Sequence, residues 1–274
     1  QVQWIGNRCI GCRTCIDICP NGALSMADSG VSIDRDACNG CGACADACPS
    51  TAMERLGTLW RVSALIDELI KDRSYFDASG GGVTLSGGEA TLQPRFAAAL
   101  MSGLKAKGVH TALDTCGQCP VDTLMDLASY ADLILFDIKE IDPSRHRRFT
   151  GASNEIILKN MIALTNGSAG RLPLKRLWVR TPIIPGATDR EETIRGIGGF
   201  IARQLAGRVD RWELCAFNNL CRDKYLRLDL DWPFSDVALM RKSRMEELAR
   251  VAETSGVDPA IVHWSGSTRL EEDN

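Results

Sequence analysis

Two cysteine runs of matching spacing stand one after the other near the start of the chain: Cys9-x-x-Cys12-x-x-Cys15-x-x-x-Cys19-Pro20 and Cys38-x-x-Cys41-x-x-Cys44-x-x-x-Cys48-Pro49. Thiolates are soft ligands suited to iron–sulfur clusters, and this is the spacing of bacterial two-cluster iron–sulfur proteins. In that arrangement three cysteines on a short loop hold three irons of one [4Fe–4S] cubane. The last cysteine of the run reaches across to the other cluster. The pattern assigns Cys9, Cys12, Cys15 and Cys48 to one cluster, and Cys38, Cys41, Cys44 and Cys19 to the second. A disulfide framework and a pair of zinc sites are the competing readings. Two matching runs, each closed by proline, fit them less well, so the chain is expected to handle electrons.

The rest of the composition narrows the setting. The 274 residues suffice for one large domain and a small one, and 45% hydrophobic with 24% charged residues is ordinary for a globular chain. A net charge of −3 gives no electrostatic reason to expect nucleic acid or an anionic membrane as partner. No apolar run is long enough to span a bilayer, and no secretory signal is visible. Twelve cysteines, eight of them in cluster spacing, point to a reducing, anaerobic cytoplasm. The chain begins at Gln1, so either residues have been removed or it starts inside a longer protein.

The cysteine runs define a first domain over 1–55, with an internal two-fold repeat in which Cys-Pro-Asn-Gly-Ala-Leu at 19–24 answers Cys-Pro-Ser-Thr-Ala-Met at 48–53. So small a module has little core of its own, and its clusters would organise its fold. A second domain spans 56–274. Val62, Leu65, Ile66, Leu69 and Ile70 recur at helical spacing. Strands are then expected at 83–85, 110–114, 133–137, 177–181, 212–217 and 261–264. Helices are expected near 94–107, 121–130, 154–165, 190–206 and 236–254. This alternation argues for an α/β fold with a parallel sheet, either a barrel or an open doubly wound sheet. In a barrel the residues just after each strand line the active face.

Those strand ends carry the unusual residues. Ser86-Gly87-Gly88-Glu89 could bring backbone close to a ligand, with Glu89 accepting from an ammonium group, or could simply be a tight turn. Asp114-Thr115-Cys116-Gly117 offers oxygens to a cation or polar ligand, or a helix cap. Cys116 and Cys119 form half a metal site at most, and read better as buried thiols. Asp137 and Lys139 fall on one side of an extended segment, either as ligand contacts or as a structural ion pair. Arg180, before Thr181-Pro182, could clamp a carboxylate or lie on the surface. No histidine is assigned a role from pattern.

Taken together and in order, these motifs resemble one family: the radical S-adenosylmethionine activating enzymes of glycyl radical enzymes, relatives of pyruvate formate-lyase activase. The resemblance runs through Gly-Gly-Gly-Val-Thr-Leu-Ser-Gly-Gly-Glu at 80–89, Asp-Thr-Cys-Gly at 114–117 and Leu-Phe-Asp-Ile-Lys at 135–139. It continues with His146, Phe-Thr-Gly-Ala-Ser-Asn-Glu at 149–155, Val-Arg-Thr-Pro-Ile-Ile-Pro-Gly at 179–186 and Lys224-Tyr225. Many members carry a ferredoxin-like 2[4Fe–4S] insert ahead of the Ser-Gly-Gly-Glu strand, which matches residues 1–55. The resemblance implies a partial (β/α)6-type barrel. Gly87, Gly88 and Glu89 should hold the methionyl amino group of S-adenosylmethionine, and Asp114 and Thr115 a monovalent cation beside its carboxylate. Asp137 and Lys139 should meet the ribose and methionyl end, and Arg180 the carboxylate. The family's Asn is Cys116 here, and its Leu-Pro-Tyr-His reads Cys215-Ala216-Phe217-Asn218, so Asn218 stands where relatives place a cofactor-binding histidine.

The family's radical chemistry also needs a third [4Fe–4S] cluster on a Cys-x-x-x-Cys-x-x-Cys loop after the first barrel strand, and the twelve cysteines contain no such spacing. The expectation is that a segment of about 30 residues or more precedes Gln1 and holds that strand and loop. The implied activity of the intact protein is reductive cleavage of S-adenosylmethionine to a 5′-deoxyadenosyl radical that installs a glycyl radical on a partner glycyl radical enzyme. A ferredoxin or flavodoxin would supply electrons. An iron–sulfur electron carrier without radical chemistry, and a radical enzyme acting on another substrate, stay open at this point. Reconstituted with iron and sulfide, the 274-residue chain is expected to bind about eight irons and to release no 5′-deoxyadenosine. Chromatographic detection of that product would refute the missing-segment reading.

Overall fold

Buried and half-buried residues alternate along 177–183 and 211–216. A strand reading this way buries one face only, whereas strands of a sheet covered on both sides are apolar throughout. The computed structural model describes residues 1–166, 176–205 and 207–269 and bears this out. It divides into a smaller unit, Gln1–Trp60 with Asn219–Asp236, and a larger one, Arg61–Asn218 with Val237–Asn274.

In the smaller unit, β1 (Val2–Trp4) pairs antiparallel with β4 (Met53–Arg55), and β2 (Leu24–Ala27) with β3 (Gly30–Ile33). Two single-turn helices, α1 (Thr14–Asp17) and α2 (Ala43–Asp46), follow the cysteine loops. Its buried cluster is Val2, Cys15, Leu24, Val31, Cys44 and Met53, so two of the six members are themselves cysteines of the runs.

The larger unit begins with α3 (Val62–Leu69) and α4 (Arg73–Ser79). It continues through β5 (Gly82–Leu85), α5 (Pro94–Ala106), β6 (His110–Thr115), α6 (Val121–Tyr130), β7 (Leu133–Asp137), α7 (Pro143–Thr150) and α8 (Glu155–Asn166). β8 (Leu177–Ile183), α9 (Glu191–Gln204) and β9 (Arg211–Ala216) come next. Then α10 (Arg222–Arg227) lies in the segment grouped with the smaller unit, and α11 (Lys242–Glu253) and β10 (Val262–Ser265) finish the larger one. The six strands form one parallel sheet in the order β10-β9-β8-β7-β6-β5. Strand order equals chain order, so there is no reversal of winding. Right-handed crossovers then place the connecting helices α5, α6, α8, α9 and α11 on the same face, as in a barrel and unlike a doubly wound sheet. On that face Ile134, Phe136, Leu177, Val179, Ile183, Trp212 and Leu214 meet Leu104 of α5, Leu127 of α6, Ile197 of α9 and Leu248 of α11, all buried.

Two expectations shift. The helix expected from 236 starts at Lys242, because Met240 and Arg241 are extended: Arg241 bridges in parallel to Arg269, and Arg269 donates to the Met240 carbonyl at 2.9 Å. The last position expected in the 190–206 helix lies outside the described residues. Helix α7 has no apolar period to announce it. Its signal is local: Pro143 opens it, and the Asp142 carboxylate accepts from the Arg145 amide at 2.8 Å.

Behind that helix lies a buried ion. Glu140 is 2% exposed and accepts from the Ile141 and Asp142 amides, the Arg145 guanidinium at 3.0 Å and the Thr193 hydroxyl at 2.9 Å. It fastens the β7–α7 turn to α9. Glu140→Ala is expected to destabilise the fold by about 3 kcal/mol, since it strands Arg145 and several buried donors. Thermal or urea unfolding checks this.

Candidate functional site

The eight run cysteines gather into two sets. One pocket is lined by Cys9, Cys12, Cys15 and Cys48, and another by Cys19, Cys38, Cys41 and Cys44. Among the described residues no three His, Cys, Asp or Glu side chains converge on a single ion. A cubane spreads its four thiolates around a volume, and each cavity offers four thiols around one. Backbone amides already face the sulfurs: Ala23 donates to Cys19 at 3.4 Å, and Met53 to Cys48 at 3.4 Å. The donor set fits two [4Fe–4S] clusters.

The second site is at the carboxyl ends of β5 to β8. Gly87 sits at φ +121°, a conformation that side chains resist, and a Cβ at Gly87 or Gly88 would meet nothing within 4 Å. This loop is held from below by Glu89. Its Oε1 accepts from the Thr91 amide at 3.2 Å, the Thr91 hydroxyl at 3.0 Å and the Thr115 hydroxyl at 2.8 Å, while Oε2 accepts from the Cys116 amide at 2.9 Å. Burial pushes the Glu89 carboxyl up, but the bonds from Cys116, Thr115 and Thr91 outweigh it, and the group stays below its ordinary range. The Cys116 thiol is pushed up to about 11 by burial and by its own bond to Glu89.

Asp114, Asp137, Lys139 and Arg180 come together. Cross-strand register sets Asp137 opposite Arg180, and Arg180 opposite Glu213. The Arg180 guanidinium reaches Asp114 at 3.2 Å and Asp137 at 3.4 Å, and Lys139 reaches Asp137 at 2.6 Å. All four are half-buried on the sheet face away from the helices. Burial raises the Asp114 carboxyl and Arg180 only partly offsets it, because that cation is shared with Asp137. Arg180 is pulled down by burial but raised on balance by its two carboxylate neighbours. Thr115 is not part of this group: adjacent strand residues face opposite ways, and its hydroxyl already donates to Glu89 and accepts from the Gly117 amide at 3.0 Å. Asn218 is exposed, two residues beyond the end of β9.

Comparison with known proteins decides what this arrangement belongs to. Residues 8–52 match a 4Fe-4S dicluster domain and residues 38–196 the radical SAM superfamily. The chain is 35% identical over 262 residues to the trans-4-hydroxy-L-proline dehydratase activating enzyme of Clostridioides difficile, covering 95% of this chain and 84% of that one. It is 34% identical to the (2S)-3-sulfopropanediol dehydratase activating enzyme of Klebsiella oxytoca, covering 92% and 80%. The chain belongs to the activating enzymes of glycyl radical enzymes. Such an enzyme is a radical S-adenosylmethionine oxidoreductase: it uses [4Fe–4S] clusters to cleave S-adenosylmethionine reductively, and the 5′-deoxyadenosyl radical so formed takes hydrogen from a glycine of a glycyl radical enzyme. Solved structures agree on the fold. A domain of pyruvate-formate lyase-activating enzyme from Bacteroides vulgatus superposes with a TM-score of 0.53 at 22% identity, over 68% of this chain and 100% of that one. A radical SAM methyltransferase from Sphaerobacter thermophilus gives 0.51 at 13%, over 84% and 63%.

In this activating enzyme the structure adds residues that sequence patterns passed over. Asn160, 4% exposed on α8, donates to the Gly117 and Cys119 carbonyls at 2.8 Å and fixes the loop after β6. Deeper on the open sheet face, Arg211 lies over the Trp178 ring at 4.8 Å and pairs with Glu213 at 2.9 Å. Strict strand alternation from Arg180 could have located Trp178, and cross-strand register Glu213; an isolated polar residue on a helix such as Asn160 carries no signal in one sequence. Cys215, raised to about 11 by burial and by Glu213, is a neutral thiol on the same face. Among the described residues no helix is long and apolar enough to cross a membrane.

Glu89→Gln turns one acceptor oxygen into a donor facing donors. It is expected to cost about 2 kcal/mol in unfolding experiments. The native Glu89 pKa is depressed, so its contribution is complete above the unfolded value of about 4.3 and is lost as pH falls through the folded one. The variant should therefore show a shallower loss of stability on acidification below that value.

Proposed function

We propose that the open strand ends of β5 to β8 bind the methionine part of S-adenosylmethionine. The observation that carries this is the Asp114–Arg180–Asp137–Lys139 group, which places both signs of charge side by side at the mouth of the sheet. A zwitterionic ligand needs that pairing. Arg180 takes the methionyl carboxylate, because two carboxylates fix the plane of its guanidinium. The Gly87-Gly88 carbonyls accept from the amino group, in the open space where side chains would stand. Glu89 acts on that loop through its bonds to Thr115 and Cys116, with its carboxylate oxygens taken up by them and by Thr91. Asp137 and Lys139 serve the ribose and methionyl end, and Asn218 supplies a hydrogen bond near the end of β9. A monovalent cation at Asp114 would use the carboxylate oxygen that Arg180 Nη1 leaves aside.

In this reading Cys9, Cys12, Cys15 and Cys48 hold one cluster, and Cys38, Cys41, Cys44 and Cys19 the other. The two four-thiol cavities support it. Both clusters pass or store electrons from a ferredoxin or flavodoxin in a reducing cytoplasm. The protein substrate is a glycyl radical enzyme of the dehydratase or lyase kind, after the names of the relatives that align along most of the chain.

Arg180→Ala is expected to weaken S-adenosylmethionine binding to the cluster-loaded enzyme more than about tenfold, the effect of losing about 1.4 kcal/mol. Gly88→Ala, for which the fold has room, should weaken it as well while leaving the melting temperature unchanged. Equilibrium dialysis reads both, and native affinity in the two variants would remove the site from this place.

A further inference from the structure

The two halves of the cysteine repeat hold equivalent clusters in inequivalent surroundings. An offset of 29 residues superposes Cys9 on Cys38, Ile10 on Asn39, Cys12 on Cys41, Arg13 on Gly42 and Thr14 on Ala43. Both Arg13 and Gly42 have positive φ, 63° and 79°. The backbone favours glycine at this position, and the second half has it; the first keeps an arginine there against the conformational cost. Thr51 at φ 55° and Gly22 at φ 60° repeat the comparison, and Thr51 follows Cys48, which lies with Cys9, Cys12 and Cys15. At both positions a side chain that strains the backbone stands beside the same cluster.

The surfaces differ accordingly. Gly42 is buried, and a Cβ there would run into the Arg55 side chain, which is paired with Asp46. The chain thus covers its second cluster loop at Gly42, with Asn39 and Cys41 left exposed. The first loop is open: Gly11, Cys12, Arg13 and Thr14 are exposed, and Ile10 is 68% exposed where its counterpart is Asn39. Residues 5–18 carry Arg8 and Arg13 against Asp17, while residues 34–47 carry Arg35 against Asp34, Asp36 and Asp46. In a chain of net charge −3 this cationic, apolar edge is out of character. Arg13 has no ion-pair partner among the described residues. Arg8 pairs with Glu54 at 3.4 Å and also lines a groove with Leu226 and with Arg227, which pairs with Asp223 at 3.9 Å. The Thr14 hydroxyl donates to Cys12 Sγ at 3.4 Å, a bond that Ala43 cannot make to Cys41, and such bonds favour the reduced cluster.

We propose that electrons reach this enzyme at the cluster of Cys9, Cys12, Cys15 and Cys48, through an edge formed by Arg8, Ile10 and Arg13 that docks an acidic one-electron carrier protein. Ile10 supplies the dry contact and the arginines steer the encounter. The carrier is oxidised by one electron and the cluster reduced by one, with no bond made or broken. The inference rests on the two-cluster reading above and adds which cluster is the port.

The test uses the holoenzyme and an acidic flavodoxin. Ile10→Asn with Arg13→Gly installs the second loop's own residues in the first, so the backbone is suited to both changes. Calorimetric titration of the oxidised partners should show binding weakened about tenfold or more at low salt. Stopped-flow reduction by the flavodoxin should slow to match and lose most of its salt dependence. Photoreduction by a deazaflavin, which needs no docking, should be unchanged and shows separately that both clusters are present and reducible. Asp36→Asn, beside the second loop, should leave flavodoxin binding as it is. Native affinity and rate in the double variant would overturn the proposal, as would an effect of Asp36→Asn equal to that of the double variant.

Discussion

Arg180 is the one cation that two carboxylates on neighbouring strands must share, and the open end of the sheet is organised around that shortage. Asp114 and Asp137 both lean on it, Lys139 supplements it from two residues beyond β7, and Glu213 of β9 stands opposite it. Half-burial makes each charge costly, and the sharing means that Asp114 is not fully compensated. A fold selected for stability alone would replace such a group with apolar side chains. Its persistence is intelligible if a ligand with its own ammonium and carboxylate completes the balance, since the binding energy then includes relief of a cost the empty site already bears.

That balance works only if the strand ends are stiff. Parallel strands end in loops, and loops are the softest part of an α/β fold. Here the loops after β5 and β6 are cross-braced by Glu89, whose acceptors take amides and hydroxyls from both, and Asn160 pins the second loop from α8. Glu140 does the same for the turn after β7. Each brace is a buried polar side chain with several partners, so one substitution releases several donors together. The braces stand behind the site and leave the Gly87-Gly88 loop uncovered.

What the sequence made legible follows from this division. The six strands and helices α5, α6, α8 and α9 announced themselves by their apolar patterns, because burial on one face imposes them. Cluster spacing was legible for a different reason: a cubane fixes its ligands on one short loop, and the metal's geometry is written into local spacing. Helix α7 was not legible, since Pro-Ser-Arg-His-Arg-Arg-Phe-Thr has no apolar face, and its one buried polar residue, His146, turns its ring to the Ala152 carbonyl at 2.7 Å. Asp114 and Thr115 read as a pair in one dimension and face opposite ways in three. Asn160 and Glu140 act through partners tens of residues away, and nothing in a single sequence links them.

The smaller unit inverts the usual relation between fold and site. Its buried cluster contains four aliphatic or thioether side chains and two cysteines, too little apolar surface to offset the entropy of ordering some sixty residues. Cluster binding must therefore supply folding free energy as a structural metal does, and the loops take their shape from the cubanes. Under that constraint the two halves of the repeat should have been free to remain alike, since either cluster satisfies the fold equally well. They are not alike: strained Arg13 and Thr51 stand by one cluster, and Gly42 and Gly22 hold the equivalent positions by the other. A difference that folding does not require, and that costs the backbone something at two positions, is what a docking edge at that cluster would account for.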